Sequence, residues 1–464
     1  MVRKTLSLAA LIAVGAAYSI EPVKTQSRQS TAVTLYEGAR LIAGDGSAPI
    51  ADSAFLVESG TITQVGRKGQ LTAPGGAGRV NLTGKTVMPA LINAHGHPGF
   101  QRGLTYSADN FTRENIIDDL NRALYFGVAV VQSQGIEKGE VTYQIRADQE
   151  AGRLGGARLH IAGRGIGAPN AGPGGAAYAG IAYEVTSEDQ ARKAVQELAA
   201  KKVNLVKVWV DDRNGRAPRL TPDLFRAIID EGHKHGLQVN AHVFYHTDAV
   251  DLVNAGVDAL VHLVRDKEMD DALVASVVQH NVYVHPNLSP EWTTYTELPH
   301  WLTDGDPLMR LLQESVSPPV IARMKKAYGN RDPAAVERTR TQYAILQRSL
   351  ARLAKANAKI TLGSDTGLED HVFGMSEQHE LESMAKAGMT PMQVIVAATS
   401  RPAEYLKLAK MGTLAAGKEA DFLVLDANPL DDITNTQRIS KIYIKGFEVD
   451  RAALRPSLTK AFTN

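Results

Sequence analysis

The run Val87-Met88-Pro89-Ala90-Leu91-Ile92-Asn93-Ala94-His95-Gly96-His97 closes on two histidines one residue apart. In a strand that spacing turns both imidazoles to one side, where they can share a divalent ion. The pair alone is weak evidence, because histidine pairs also occur on surfaces and in cores. Three further apolar runs each end on one ionisable side chain: Asn240-Ala241-His242, Leu260-Val261-His262 and Gly363-Ser364-Asp365. In a fourth, Leu205-Val206-Lys207-Val208-Trp209, alternation turns Lys207 inward with Leu205 and Trp209. Burial favours the neutral amine of a lysine, which can add CO2 and become a carbamate, a bidentate oxygen ligand. A buried pair between Lys207 and a carboxylate is the alternative. Four histidines, a lysine and an aspartate are a donor set for divalent cations, and the chemistry they support is activation of water for hydrolysis. The sequence has no cysteine, which removes thiolate nucleophiles and Cys-ligated zinc. It also lacks a Gly-x-Ser-x-Gly nucleophile elbow.

Such groups need elements that bring them together. Eight strand-like runs alternate with amphipathic helical segments, at 87–94, 128–132, 158–162, 203–210, 237–243, 257–263, 281–285 and 360–364. That pattern predicts an α/β fold, a (β/α)8 TIM barrel over 87–403, whose strands deliver catalytic groups at their C-terminal ends. Between the fourth and fifth runs, Thr221 and Pro222 start a helix that Gly236 ends. After the seventh run, residues 287–358 read as a helical insertion at the end where active-site lids lie. The flanks, 31–86 and 404–455, have short strands and turns and predict one small discontinuous β-sandwich domain. His233 and His235 read as surface groups at a helix C-terminus, and His160 as structural. Tyr245, His246, Arg265 and His285 fall at strand ends and are candidates for substrate contact. Gly-rich 163–175 reads as a mobile active-site loop, since it lacks the Gly-Lys-Ser/Thr of a phosphate loop.

The 51 basic residues nearly cancel the 50 acidic ones, so there is no electrostatic footprint for nucleic acid. A small-molecule substrate is the expected partner, with a homo-oligomer left open. Arg3-Lys4, the apolar run 6–17 and the small residues up to Ser19 predict a signal peptide over 1–19, hence a secreted or periplasmic protein with no membrane attachment after cleavage.

The whole pattern resembles the amidohydrolase superfamily, in particular its binuclear branch of imidazolonepropionase-related amidohydrolases and Xaa-Pro dipeptidase-like or carboxypeptidase-like enzymes. The resemblance covers nearly the whole mature chain. It is carried by Leu41-Ile42 with Gly44-Asp45-Gly46, by the segment ending His95-Gly96-His97, by Gly363-Ser364-Asp365, by Ala387-Gly388-Met389-Thr390-Pro391 and by the segment from Gly417 to Leu425. It implies two divalent ions, zinc being the expected metal. His95, His97 and Asp365 would bind the more buried ion, His242 and His262 the more exposed one, with carbamylated Lys207 bridging them. Mononuclear deaminases of the superfamily usually show Glu three residues after the fifth-strand histidine; Tyr245 stands there, which favours hydrolysis with two metals. The implied activity is cleavage of an amide or peptide-like C–N bond by metal-activated hydroxide, with Asp365 as general base, in a dipeptidase or N-acyl amino acid hydrolase. A cyclic-amide hydrolase and a mononuclear deaminase are the enzymatic alternatives, and a solute- or metal-binding protein the non-enzymatic one.

Overall fold

The computed structural model describes residues 33–460 except 104, 174–175, 213–214, 291–301, 331 and 369–370; the expected signal peptide lies outside the described residues. Eight short strands carry the site: β1 (Leu91–Gly96), β2 (Val128–Ser133), β3 (Arg158–His160), β4 (Leu205–Trp209), β5 (Gln238–His242), β6 (Ala259–Val261), β7 (Tyr283–His285) and β8 (Lys359–Ile360). Every residue of β1, β2 and β4 is buried. Strands covered on both faces belong to parallel sheets with helices outside, which is why these runs are continuously apolar rather than alternating. Neighbours pair in parallel within two groups, β1–β2–β3 and β4 through β8. Hydrogen bonds join the groups at both ends. The Asn204 amide donates to the Ile161 carbonyl (2.7 Å), and at the other seam Ala94 donates to Leu362 (2.8 Å) and Asp365 to His95 (3.0 Å). The result is a TIM-barrel-type α/β arrangement.

Two of the expected strands come out differently. The apolar run 87–94 is split at Ala90. Thr86–Pro89 pairs antiparallel with Phe422–Leu425, and only Leu91–Gly96 pairs with β2. An unbroken apolar run is buried in both settings, so hydrophobicity does not mark the switch. The third run is interrupted as well: after β3 the backbone breaks, then Ile166–Gly167 resumes beside β4, opposite Val208 and Trp209. The Glu137 carboxylate fills the break by accepting from the amides of Ala162 (2.9 Å), Gly163 (3.0 Å) and Gly135 (3.0 Å). The start of the glycine-rich stretch 163–175 is therefore paired backbone and not a free loop; Gly174 and Gly175 lie outside the described residues.

The flanks meet each other. Residues 33–81 contribute a four-stranded sheet, and the adjacent five-stranded sheet combines Arg40–Leu41 and Thr86–Pro89 with Phe422–Leu425, Ile439–Ile444 and Phe447–Glu448. Tyr36 stacks on Phe55 (4.8 Å between ring centroids) and Phe422 on Tyr443 (4.5 Å), and the two stacks meet edge to face between the sheets. The insertion after β7 holds Pro307–Ser315, Pro318–Gly329 and Pro333–Lys355. The first two share a core with the last helix, Arg451–Lys460. Among the described residues no helix is long and apolar enough to cross a membrane.

Candidate metal centre

Cross-strand register sets the height of each candidate ligand. Trp209 pairs with His242, His242 with Val261 and Val261 with His285, while Lys207 lies one pleat below, opposite Asn240. His95 and His97, at the end of β1, reach the same level from the other side. His95 Nε2 lies 3.0 Å from His97 Nε2 and 3.0 Å from Asp365 Oδ1, and His97 Nε2 lies 2.9 Å from that same oxygen. His262 Nε2 is 3.9 Å from Asp365 Oδ2, and the rings of His242 and His262 are 4.6 Å apart. Donor atoms of His95, His262 and Asp365 all fall within 4.8 Å of one another. His262, Asp365 and neighbouring Asn287 have positive φ (72°, 51° and 55°), a costly left-handed backbone for such residues that clusters where side chains must be aimed.

Protonation follows from burial. Desolvation pushes His95 down to about 3, helped by the charge of Lys207. It also drives His262 well below the ordinary histidine range, with Arg265 adding to the effect. Burial alone would raise Asp365, but the imidazoles of His95, His97 and His262 around it outweigh burial and hold the carboxyl well below the usual carboxylate range. The amide oxygen of Asn287 accepts from His95 Nδ1 (2.6 Å), so the lone pair of neutral His95 sits on Nε2. That lone pair faces a second imidazole nitrogen and a carboxylate oxygen at about 3 Å. Such convergence of electron-rich atoms in a dry site repels unless a cation lies between them, and neutral imidazole with carboxylate is what a divalent ion requires. The donor set fits a metal ion.

Lys207 is 1% exposed, on the interior face of β4. It fits because Gly135 has no side chain: a Cβ there would stand 2.8 Å from Lys207 Cβ and Cγ. Gly363 does the same for His95 and His285, whose Cβ atoms would lie 3.1 and 2.9 Å from its own. His285 is fully buried with Nδ1 on Thr361 Oγ1, and Nε2 has no partner among the described residues. Trp209 packs with Phe100, Ile136 and Ile181 into an apolar wall.

All six predicted ligands thus come to the strand ends or directly below them. His95, His97 and Asp365 form the tight group, His262 borders it, His242 is reached through His262, and Lys207 lies beneath. Of the candidates for substrate contact, the Tyr245 hydroxyl donates to Asp212 Oδ1 (2.9 Å) and His246 Nε2 is 3.2 Å from Asp270. Arg265 is buried near His262, and His285 is buried at the end of β7 beside Gly363. His233 lies half exposed against Asp258, the surface position expected of it. His160 is the last residue of β3, and burial pushes it down to about 4.

Reading the sequence alone missed four residues. Asp211 binds His242 Nε2; Asn287 holds His95; Asn93 donates to Ser364 Oγ (2.8 Å) and Glu377 Oε1 (2.6 Å); Glu380 accepts from the amides of Leu288 (2.9 Å) and Ser289 (2.5 Å). Only Asp211 left a signal, since it continues the inward alternation from Lys207 through Trp209.

Residues 86–449 match the model of the Amidohydrolase family. An uncharacterized protein of Mycobacterium tuberculosis is 35% identical over 114 residues, 24% of this chain and 30% of its own length, so the chain spans under a third of that relative. A 5-methylthioadenosine/S-adenosylhomocysteine deaminase of Shouchella clausii is 22% identical over 457 residues, 92% of each chain. Among solved structures, a Xaa-Pro dipeptidase with bound methionine in the active site superposes with a TM-score of 0.69 at 20% identity, covering 90% of this chain and 100% of that one.

Proposed function

Because the chain belongs to the amidohydrolase family, we propose that it is a metal-dependent hydrolase of an amide or peptide-like C–N bond in a small-molecule substrate, such as a dipeptide or an N-acyl amino acid. The observation that carries this reading is the convergence of His95 Nε2, His97 Nε2 and Asp365 Oδ1 within 3.0 Å of one another. His95, His97 and Asp365 would hold the more buried ion, His242 and His262 the more exposed one, both zinc in this reading, with carbamylated Lys207 between them. When bound, such ions act as Lewis acids toward the scissile carbonyl and lower the pKa of water. Asp365 takes the proton of the attacking water and returns it to the leaving nitrogen, the one ionised carboxylate among the six ligands. Asn287 keeps His95 in one tautomer, and Trp209 with its apolar neighbours keeps the Lys207 stem dry.

A deaminase reading rests on the Shouchella relative. Against it stands Tyr245, engaged with Asp212 where such enzymes usually carry Glu. The proposal further takes the eight strands as one closed (β/α)8 barrel and the two flanking sheets as a discontinuous β-sandwich domain. It takes the mature chain as exported after loss of residues 1–19. The test is purified full-length chain assayed on a dipeptide and N-acyl amino acid panel, with metal analysis before and after chelation. Turnover abolished by chelator and restored by zinc is expected. Zinc-replete protein inert on the whole panel but releasing ammonia from aminated heterocycles would reverse the reading.

A further inference from the structure

A cavity of about 380 Å³ lies beside the helices Val141–Glu150 and Glu188–Ala200. That volume falls within the range of about 300–1,000 Å³ typical of small-molecule sites, and none of the six candidate metal ligands lines it. One stretch of backbone touches both the cavity and the barrel interior. A Cβ on Gly163 would meet the Tyr143 hydroxyl, part of the cavity lining, at 2.6 Å; a Cβ on Gly165 would meet Trp209 at 2.2 Å.

The charges in the lining do not balance. Arg164 lies over the Tyr183 ring at 4.0 Å, and its Nε and Nη2 donate to the carbonyls of Ile181 (2.5 Å) and Ala182 (3.1 Å). Those partners are neutral, and Arg164 makes no ion pair among the described residues; exposed Lys138 makes none either. Both lining acids are already answered. Glu137 accepts from the Ser133 hydroxyl and from the amides of Gly135, Ala162 and Gly163, and Glu140 pairs with Lys201. The Tyr143 hydroxyl has no hydrogen bond among the described residues, and burial, with Glu137 adding to it, pushes it up so that it stays a proton donor. Leu198 and Ile181 supply apolar surface. A guanidinium held in place without a counter-ion, beside a free hydroxyl and an apolar wall, is the chemistry that recognises a carboxylate with an apolar tail.

We propose that this cavity binds a small organic carboxylate: Arg164 takes the carboxylate, Lys138 adds its charge, Tyr143 supplies a hydrogen bond, and the tail lies against Leu198 and Ile181. The site is separate from the metal centre and does not rest on the metal-centre reading. Calorimetric titration of chelator-treated full-length protein with hydrocinnamate tests it, with hydrocinnamide as the uncharged counterpart. Binding of the acid at a single site is expected, with the amide weaker by about tenfold or more, because hydrogen bonds to charged groups are the stronger kind. Arg164→Met should weaken the acid by about tenfold or more, and the double variant Tyr143→Phe with Lys138→Gln by about tenfold. No binding of the acid by wild type, equal binding of acid and amide, or wild-type affinity in the double variant would overturn the proposal. If Arg164→Met does not fold, the double variant decides, since the groups it removes make no hydrogen bond or ion pair among the described residues.

Discussion

Asp365 faces opposed demands. Burial disfavours its charge, yet three histidines surround it and keep it ionised, which suits a base that must accept a proton from water. Asp365→Asn is nearly isosteric, so the fold and at least one metal should survive while kcat falls by on the order of 10²-fold, the scale that loss of a general base brings. Steady-state kinetics with metal analysis checks this, and near-normal kcat would assign the base elsewhere. Lys207 answers to a different chemistry. If its carbamate joins two ions, Lys207→Ala loses metal and activity, and a short-chain carboxylic acid filling the vacated space restores part of both. Stoichiometric metal with undiminished turnover in the untreated variant would refute the bridge. These candidate ligands stood out in the sequence because each is an ionisable side chain ending or interrupting an apolar run. Asn93 and Asn287 did not, since a neutral amide in a strand or turn has many bland uses and only its contacts reveal what it orients.

At the scale of elements, the strands that carry the candidate ligands are held by the helix Met375–Lys386 that follows β8. Its Glu377 accepts from Asn93 Nδ2 within β1 (2.6 Å) and from the Gly374 amide (2.6 Å), and Asn93 also donates to Ser364 beside Asp365. Burial pushes Glu377 up to about 7, against the hydrogen bonds that favour its charge. A carboxyl whose pKa is raised by folding contributes stability that is fully present below its unfolded value and is lost as pH rises through the folded value. Glu377→Gln removes that titration. Urea unfolding should therefore show the stability difference between wild type and variant moving in the variant's favour from about pH 4.5 to about pH 7, and flat above. Parallel stability curves across this window would show that Glu377 does not titrate with folding. The helix was legible only as one more amphipathic segment; which of its faces carried a buried acid depended on strands from the other end of the sequence. The same non-locality hid the switch at Ala90, where one apolar run serves two sheets.

For the whole molecule, the problem is to hold elements distant in sequence around the strands, and Arg122 does so at one corner. It is 0% exposed, on the helix Arg113–Tyr125. One guanidinium nitrogen donates to the Ser315 carbonyl at the end of the helix Pro307–Ser315, and the other to the Leu458 carbonyl in the helix Arg451–Lys460 (3.0 Å). Asp119 and Asp118 supply the counter-charge, although burial still lowers Arg122 to about 10. The discontinuous assembly of the flanks could be read from the return of strand texture near residue 421, but this junction could not, because an arginine in an amphipathic helix is ordinarily solvated. Arg122→Met keeps the stem's packing and removes both donors and the charge. Two buried carbonyls then lose their partner and Asp119, itself raised to about 7 by burial, loses its cation. Breaking a buried, hydrogen-bonded charge of this kind costs about 3–5 kcal/mol. The variant should unfold at lower urea, with amide exchange accelerated first in 307–329 and 451–460, while a Lys at this position restores charge without the paired donors and lies between. Because the proposed metal ligands stand on other elements, zinc stoichiometry should be unchanged where the variant is folded. A Met variant within about 0.5 kcal/mol of wild type, with unaltered exchange in both helices, would mean that apolar packing alone holds the insertion to the end of the chain.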